Sequence, residues 1–212
     1  MPIRGMIVSV IKKLSMWRQT KSIASVVDLE RFIQTPSDCC VIAQKAHDSY
    51  ENLMQPADRF PRLMILVINL PRSTHRREQM ERQLQALELP YQIFDAIDGK
   101  SRWDELRSTV DFRAFQRHVG RDVLQGEIGC YHSHIAAWRA FLDSQKDILL
   151  ILEDDMVLHA DFIDALCITL RASAHWDMLK LAKIRAKQPI CQGLVGPYRL
   201  NAYIGAATGF GA

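Results

Sequence analysis

Five apolar residues in a row, Ile148 to Leu152, run directly into three acids, Glu153-Asp154-Asp155. An unbroken apolar run of that length fits a strand buried on both faces, and such strands belong to sheets covered by helices. A second run, Leu63 to Ile68, has the same character and is broken by Asn69-Leu70-Pro71-Arg72. The residues between them alternate in period. Ser73 or Thr74 can cap a helix over about 74–88, with Met80, Leu84 and Leu87 as its buried stripe, and Pro90 ends it. Tyr91, Ile93 and Phe94 begin a second strand, and Asp98-Gly99 marks a turn. Residues 103–119 read as a weakly patterned helix. Gly126 to Leu142 reads as another, with Ile128, Ile135, Trp138 and Leu142 facing inward. Asp161 to Leu170 predicts a helix and Met178 to Leu181 a short strand. Residues 189–212 read as loops with one strand near 202–206. Strands alternating with helices predict an α/β fold with parallel pairing.

Residues 1–60 form an extension of different character. Met6, Ile7, Val10, Ile11, Leu14 and Trp17 fall on one helical face, with Lys12, Lys13, Arg18 and Lys21 mostly around the other. A basic amphipathic helix over residues 1–21 is suited to lying on an anionic membrane surface; the plainer reading is a helix docked on the domain or a leader. Residues 34–60 contain Pro36 and Pro56, lack a clear period, and read as a linker with one short helix near 39–53. The net charge of +3 is too small to argue for nucleic acid, and much of it comes from the first 21 residues, which contain no acid. The five cysteines, at 39, 40, 130, 167 and 191, form no C-x-x-C pair and no regular framework. They point to a reducing compartment. No run approaches the roughly 20 apolar residues that a spanning helix needs. Cytoplasmic placement is the expectation, with residues 1–21 able to meet the inner face of the cytoplasmic membrane.

Three adjacent carboxylates at the end of a buried strand repel one another, more so when partly buried. Two readings stand: a solvated turn, or a site for a divalent cation. Oxygen ligands suit Mg²⁺ or Mn²⁺, commonly held by one or two carboxylates plus substrate phosphates. Ligands in open α/β sheets sit beyond the carboxyl ends of the strands, where this triplet falls. A strand followed by E-D-D also resembles the acidic pocket of receiver domains. There the pocket lies on the first strand, whereas only residues 156–212 follow the triplet here, too few for the rest of a receiver.

His75, Arg76 and Arg77 occupy the first turn of a predicted helix, where cations oppose the helix dipole. Either a nearby anion favours them, or they belong to a solvated charged face with Glu78, Glu81 and Arg82. The stretch Gly126-Glu127-Ile128-Gly129-Cys130-Tyr131-His132-Ser133-His134 is unusual for a helix. Two glycines cost about 1 kcal/mol each relative to alanine, and they allow a close backbone approach. Ser133 and His134 are polar groups on a core-facing helix, and His134 alone reads more readily as a satisfied buried histidine than as a ligand. Cys130 lacks a cationic neighbour that would activate it as a nucleophile. No G-x-x-x-x-G-K-[ST] phosphate loop is present.

Several motifs resemble, in order, glycosyltransferase family 25, the lipooligosaccharide and lipopolysaccharide galactosyltransferase family that includes collagen galactosyltransferase domains. They are Val67-Ile68-Asn69-Leu70 with Arg76-Arg77 and Met80; Phe94-Asp95-Ala96-Ile97-Asp98-Gly99; Gly126-Glu127-Ile128-Gly129-Cys130 with Ser133-His134 and Trp138; and Ile151-Leu152-Glu153-Asp154-Asp155. Trp176-Asp177 and Leu179-Lys180-Leu181 continue the similarity, which covers about residues 63–212 of a partial domain at 61–212. The resemblance implies a GT-A type fold: a Rossmann-like, mostly parallel sheet flanked by helices, here incomplete at its C-terminal end. It implies a UDP-sugar donor, often UDP-galactose, and Mn²⁺ or Mg²⁺ held by Glu153, Asp154 and Asp155. By the same resemblance Asn69, Leu70, Arg76, Ser133, His134 and Asp154 would meet the donor. The implied reaction inverts the anomeric centre and passes the sugar to a lipopolysaccharide, lipooligosaccharide or other glycan or lipid-linked acceptor. Asp177 is the one candidate for its general base. Two departures mark the chain: residues 1–60 have no counterpart in the typical bacterial enzyme, and the sequence stops where the family continues. The alternative reading is a truncated, non-catalytic module that binds a nucleotide sugar or a metal.

Overall fold

A computed structural model describes residues 9–12, 62–171, 178–181, 189–195 and 198–203. Its main sheet contains β1 (Ser9–Lys12), β2 (Leu63–Asn69), β3 (Gln92–Asp95), β4 (Ile148–Glu153) and β5 (Met178–Lys180), in the spatial order β3-β2-β4-β1-β5. The helices are α1 (Thr74–Ala86), α2 (Trp103–Leu106), α3 (Phe112–Val119), α4 (Gln125–Asp143) and α5 (Phe162–Arg171), with a 3₁₀ turn at Arg107–Thr109. The central strands β3, β2 and β4 are parallel, whereas β1 lies antiparallel to both β4 and β5. The expected α/β architecture is therefore present.

The two apolar runs form the adjacent strands β2 and β4, with Ile65 opposite Leu150 and Val67 opposite Leu152. Strand side chains alternate between faces, so a strand buried on both sides must be apolar at every position. Leu63, Ile65, Val67, Leu150 and Leu152 pack on one face with Met80 and Leu84 of α1 and Phe162 and Leu166 of α5. Leu66, Ile68, Leu149 and Ile151 pack on the other face with Ala137 and Phe141 of α4. Chain direction follows from these layers. The connection from β2 through α1 to β3 runs over one face. The return through α4 to β4 runs over the other and places β4 on the opposite side of β2. The strand order thus reverses between β2 and β4, and their carboxyl ends flank the crevice where such sheets bind ligands.

Three local expectations change. Residues 9–12 pair as a strand with β4 and β5, in place of the helix expected within residues 1–21. A short apolar run satisfies either period, and the open edge of β4 supplies the partner that decides it. In α4, Leu142 is 59% exposed, and the buried stripe runs through Ile128, Ser133, His134, Ala137 and Phe141. The stripe includes two polar residues, so apolar residues alone misplace it. The loop expected over residues 189–201 contains an antiparallel hairpin of β6 (Pro189–Val195) and β7 (Tyr198–Tyr203), with an irregularity between Cys191 and Gly193. The short helix expected near 39–53 lies outside the described residues. Among the described residues, no helix is long and apolar enough to cross a membrane.

Candidate active site at the carboxyl ends of β2 and β4

Strand parity splits the acidic triplet. Glu153 pairs with Ile68, so it inherits the face covered by α4. Its carboxylate meets His134 there, with Nε2 3.3 Å from Oε1, and the Cys130 thiol donates to the same oxygen at 3.8 Å. Asp154, one residue on, turns to the α1 side. The Asn69 amide at the end of β2 donates to its Oδ2 at 2.8 Å, and Arg76 Nη1 in the first turn of α1 donates to Oδ1 at 3.0 Å. Asp155 is more exposed, and its Oδ2 lies 3.9 Å from the same Arg76 nitrogen. The anion that the first turn of α1 calls for is thus supplied by the protein. Asp154 and Asp155 favour Arg76 where the helix dipole opposes it, and Arg77 pairs with Glu81 instead.

The loops that carry these groups are tied down. Asn69 also donates to the Ser73 carbonyl at 3.2 Å, and Ser73 N–H donates to the Leu70 carbonyl at 2.7 Å. The β2–α1 turn is thereby closed, with Leu70 half-buried within it. Behind the triplet, Gln83 of α1 uses both ends of its amide. It donates to the Met156 carbonyl at 3.0 Å and accepts from Leu158 N–H at 2.8 Å. The acidic turn therefore rests on α1 as well as on β4.

The glycines of α4 have different tasks. A Cβ on Gly129 would lie 2.5 Å from Gly99 N and 2.6 Å from the Ile97 carbonyl oxygen. A Cβ on Gly126 would meet nothing within 4 Å. Gly129 and Gly99 thus let the loop after β3 cross α4 backbone to backbone, as the sequence allowed for at least one of the two. Ser133 fastens the same crossing: its hydroxyl accepts from Ile97 N–H at 2.8 Å and donates to the Gly129 carbonyl at 2.7 Å. Ser133 is fully buried, and both of its hydrogen bonds serve this crossing. His134 is 2% exposed and reaches the crevice through Glu153. Burial, with the Glu153 carboxylate alongside, pushes the Cys130 thiol up to about 12. A neutral thiol is no nucleophile at ordinary pH, in line with the sequence reading. What the sequence reading missed is that Cys130 and His134, four residues apart on one helix face, converge on Glu153. Asp177 lies outside the described residues.

The start of α4 contributes a measurable stability effect. Its N-cap position is Leu124, which has no side-chain acceptor, so Glu127 accepts the Leu124 N–H at 2.9 Å while pairing with Arg121. The Arg121 hydrogen bond holds the Glu127 carboxyl below its ordinary range. A depressed carboxyl stabilises the fold fully above its unfolded pKa, near 4.3, and that contribution disappears as pH falls through the folded value. Glu127→Gln keeps an oxygen acceptor for the Leu124 N–H but loses the Arg121 ion pair, and is expected to cost up to about 1 kcal/mol at pH 7, the scale of a part-exposed ion pair. Urea denaturation should show the gap from wild type narrowing as pH falls through the depressed folded pKa of Glu127.

A sequence model of "Glycosyltransferase family 25 (LPS biosynthesis protein)" matches residues 63–195. Procollagen galactosyltransferase 2 of Mus musculus is 29% identical over 135 residues, 59% of this chain and 22% of that protein. A glycosyltransferase 25 family member of Anopheles gambiae is 28% identical over 140 residues, 63% of this chain and 24% of its own length. One from Drosophila melanogaster is 31% identical over 131 residues, 58% and 21% of the two chains. This chain thus spans about a fifth to a quarter of the relatives it matches. The family match covers β2 to β6, including Asn69, Arg76, the Gly129-Cys130 segment and the acidic turn, and on that match the chain belongs to glycosyltransferase family 25.

Proposed function

We propose that the crevice between β2 and β4 binds a UDP-sugar, with galactose as the sugar, and transfers it with inversion to a hydroxyl of a glycan or lipid-linked acceptor. The observation that carries this reading is the gathering of Asn69, Arg76, Asp154 and Asp155 at the point where strand order reverses. The names of the relatives, procollagen galactosyltransferases, favour galactose. The family description, which refers to lipopolysaccharide biosynthesis, favours a glycan acceptor of that class.

Donor chemistry supports a hard divalent cation at this place. Asp154 and Asp155 each direct a carboxylate oxygen at one point, where Arg76 Nη1 now lies, and an all-oxygen set suits Mg²⁺ or Mn²⁺. Asp154 already uses both oxygens, for Asn69 and for Arg76, so Asp155 is the freer ligand. When bound, the cation offsets charge on the departing diphosphate. Arg76, on the same edge, would be a second positive group for that diphosphate. Asn69 fixes Asp154 throughout. In-line attack by the acceptor oxygen breaks the bond from the anomeric carbon to the diphosphate and inverts that carbon, with oxocarbenium character at the transition state.

Incubation with UDP-galactose, Mn²⁺ and a lipooligosaccharide acceptor should release UDP, and Asp155→Ala should remove that release. UDP release that ignores Asp155 would count against the reading. Binding of UDP without any release is the result a non-catalytic binding module would give.

A further inference from the structure

We propose that Cys130, His134 and Glu153 form a second metal site, selective for a borderline cation of the Zn²⁺ class and separate from the Asp154–Asp155 pair. The three side chains offer sulfur, nitrogen and oxygen, a mixed set that suits Zn²⁺ or Co²⁺ and not Mg²⁺ or Mn²⁺. Their donor atoms all lie within 4.8 Å of one another. The spacing matches a tetrahedral edge. With Zn–S about 2.3 Å and Zn–N and Zn–O about 2.0–2.1 Å, tetrahedral angles put N about 3.3 Å and S about 3.6 Å from O. The observed separations from Glu153 Oε1 are 3.3 Å for His134 Nε2 and 3.8 Å for Cys130 Sγ.

The support is rigid as well. Cys130 and His134 stand one turn apart on α4, and Glu153 ends the buried strand β4. A cation here ties α4 to β4 directly behind the donor crevice. Glu153 keeps 18% of its side chain exposed, which gives solvent a route to a fourth ligand position. As the metal–sulfur bond forms, the Cys130 proton leaves to solvent and the metal stays divalent, so no oxidant or reductant is needed.

Cobalt titration of the metal-free full chain, with excess Mg²⁺ to fill the oxygen site, tests this without reference to turnover. The expected spectrum combines a thiolate-to-cobalt charge-transfer band with the strong visible bands of a tetrahedral site. One equivalent of Zn²⁺ should bleach both. Cys130→Ser should abolish the charge-transfer band and weaken binding more than about a hundredfold, since even an outer-shell partner is worth 10–100-fold. Asp155→Ala should leave the band unchanged. A second measurement on the wild-type chain does not depend on any variant folding: Zn²⁺ should protect Cys130 from maleimide, mapped by peptide mass spectrometry. A wild-type spectrum without the charge-transfer band, a band that survives Cys130→Ser, or unprotected Cys130 would overturn the site. It would leave a hydrogen-bonded thiol and imidazole on a carboxylate.

Discussion

Asp155→Ala is expected to lower kcat/KM for UDP-sugar turnover by on the order of 10²–10³-fold, equivalent to about 3–4 kcal/mol of transition-state stabilisation. The reason lies in how the triplet divides. Glu153 is engaged with His134 and Cys130 on one side of the sheet. Asp154 is engaged with Asn69 and Arg76 on the other. Asp155 makes a long contact to Arg76 at 3.9 Å and is the most exposed of the three, so it is the carboxylate most free to ligate. Its loss should change folding stability by less than about 0.5 kcal/mol, as for an ordinary surface substitution. Asp154→Ala should behave differently, because it leaves the Asn69 amide, whose residue is 1% exposed, with Ser73 O in place of its two acceptors, and frees Arg76. It should reduce both activity and stability, the latter by about 1–3 kcal/mol. Paired melts and initial rates on the two variants check this contrast.

Gly129→Ala is expected to destabilise the protein by about 3 kcal/mol or more, at the upper end of overpacking costs. The added methyl would lie 2.5 Å from Gly99 N and 2.6 Å from the Ile97 carbonyl oxygen. Both are backbone atoms, so no side-chain rotation relieves the contact. The loop would have to lift from α4, and the Ile97–Ser133 hydrogen bond would stretch with it. With a typical domain stability of only about 5–15 kcal/mol, such a loss is large. Gly126→Ala, three residues earlier on the same helix, should be neutral or stabilising by up to about 1 kcal/mol, since nothing lies within 4 Å of its added Cβ. Urea melts should therefore show a large loss for Gly129→Ala and none for Gly126→Ala.

The parts of this structure that were readable from sequence share one cause. Leu63–Ile68 and Ile148–Leu152 are apolar at every position, and only a central strand covered on both faces tolerates that. Once those strands are parallel neighbours, the acidic triplet and Asn69 must share the carboxyl edge, and the site's location follows. The face each acid takes is also implied, because the parity of Ile151 and Leu152 continues into Glu153 and Asp154. What sequence pattern could not supply was long-range. Nothing local makes residues 9–12 a strand; β4 and β5 do. Nothing local assigns Gly129 and not Gly126 to the crossing; the loop at Ile97–Gly99 does. Apolar periodicity places Leu142 inside, whereas the buried stripe passes through Ser133 and His134, whose partners Ile97 and Glu153 are distant in sequence.

The central claim is that the β2–β4 crevice is a metal-dependent nucleotide-sugar site, and calorimetric titration of UDP with and without Mn²⁺ tests it most directly. Binding should appear with Mn²⁺, fall at least about tenfold without it, and be lost in Asp155→Ala, a tenfold change being about 1.4 kcal/mol. UDP binding that is equally strong without metal and unchanged by Asp155→Ala would contradict the account.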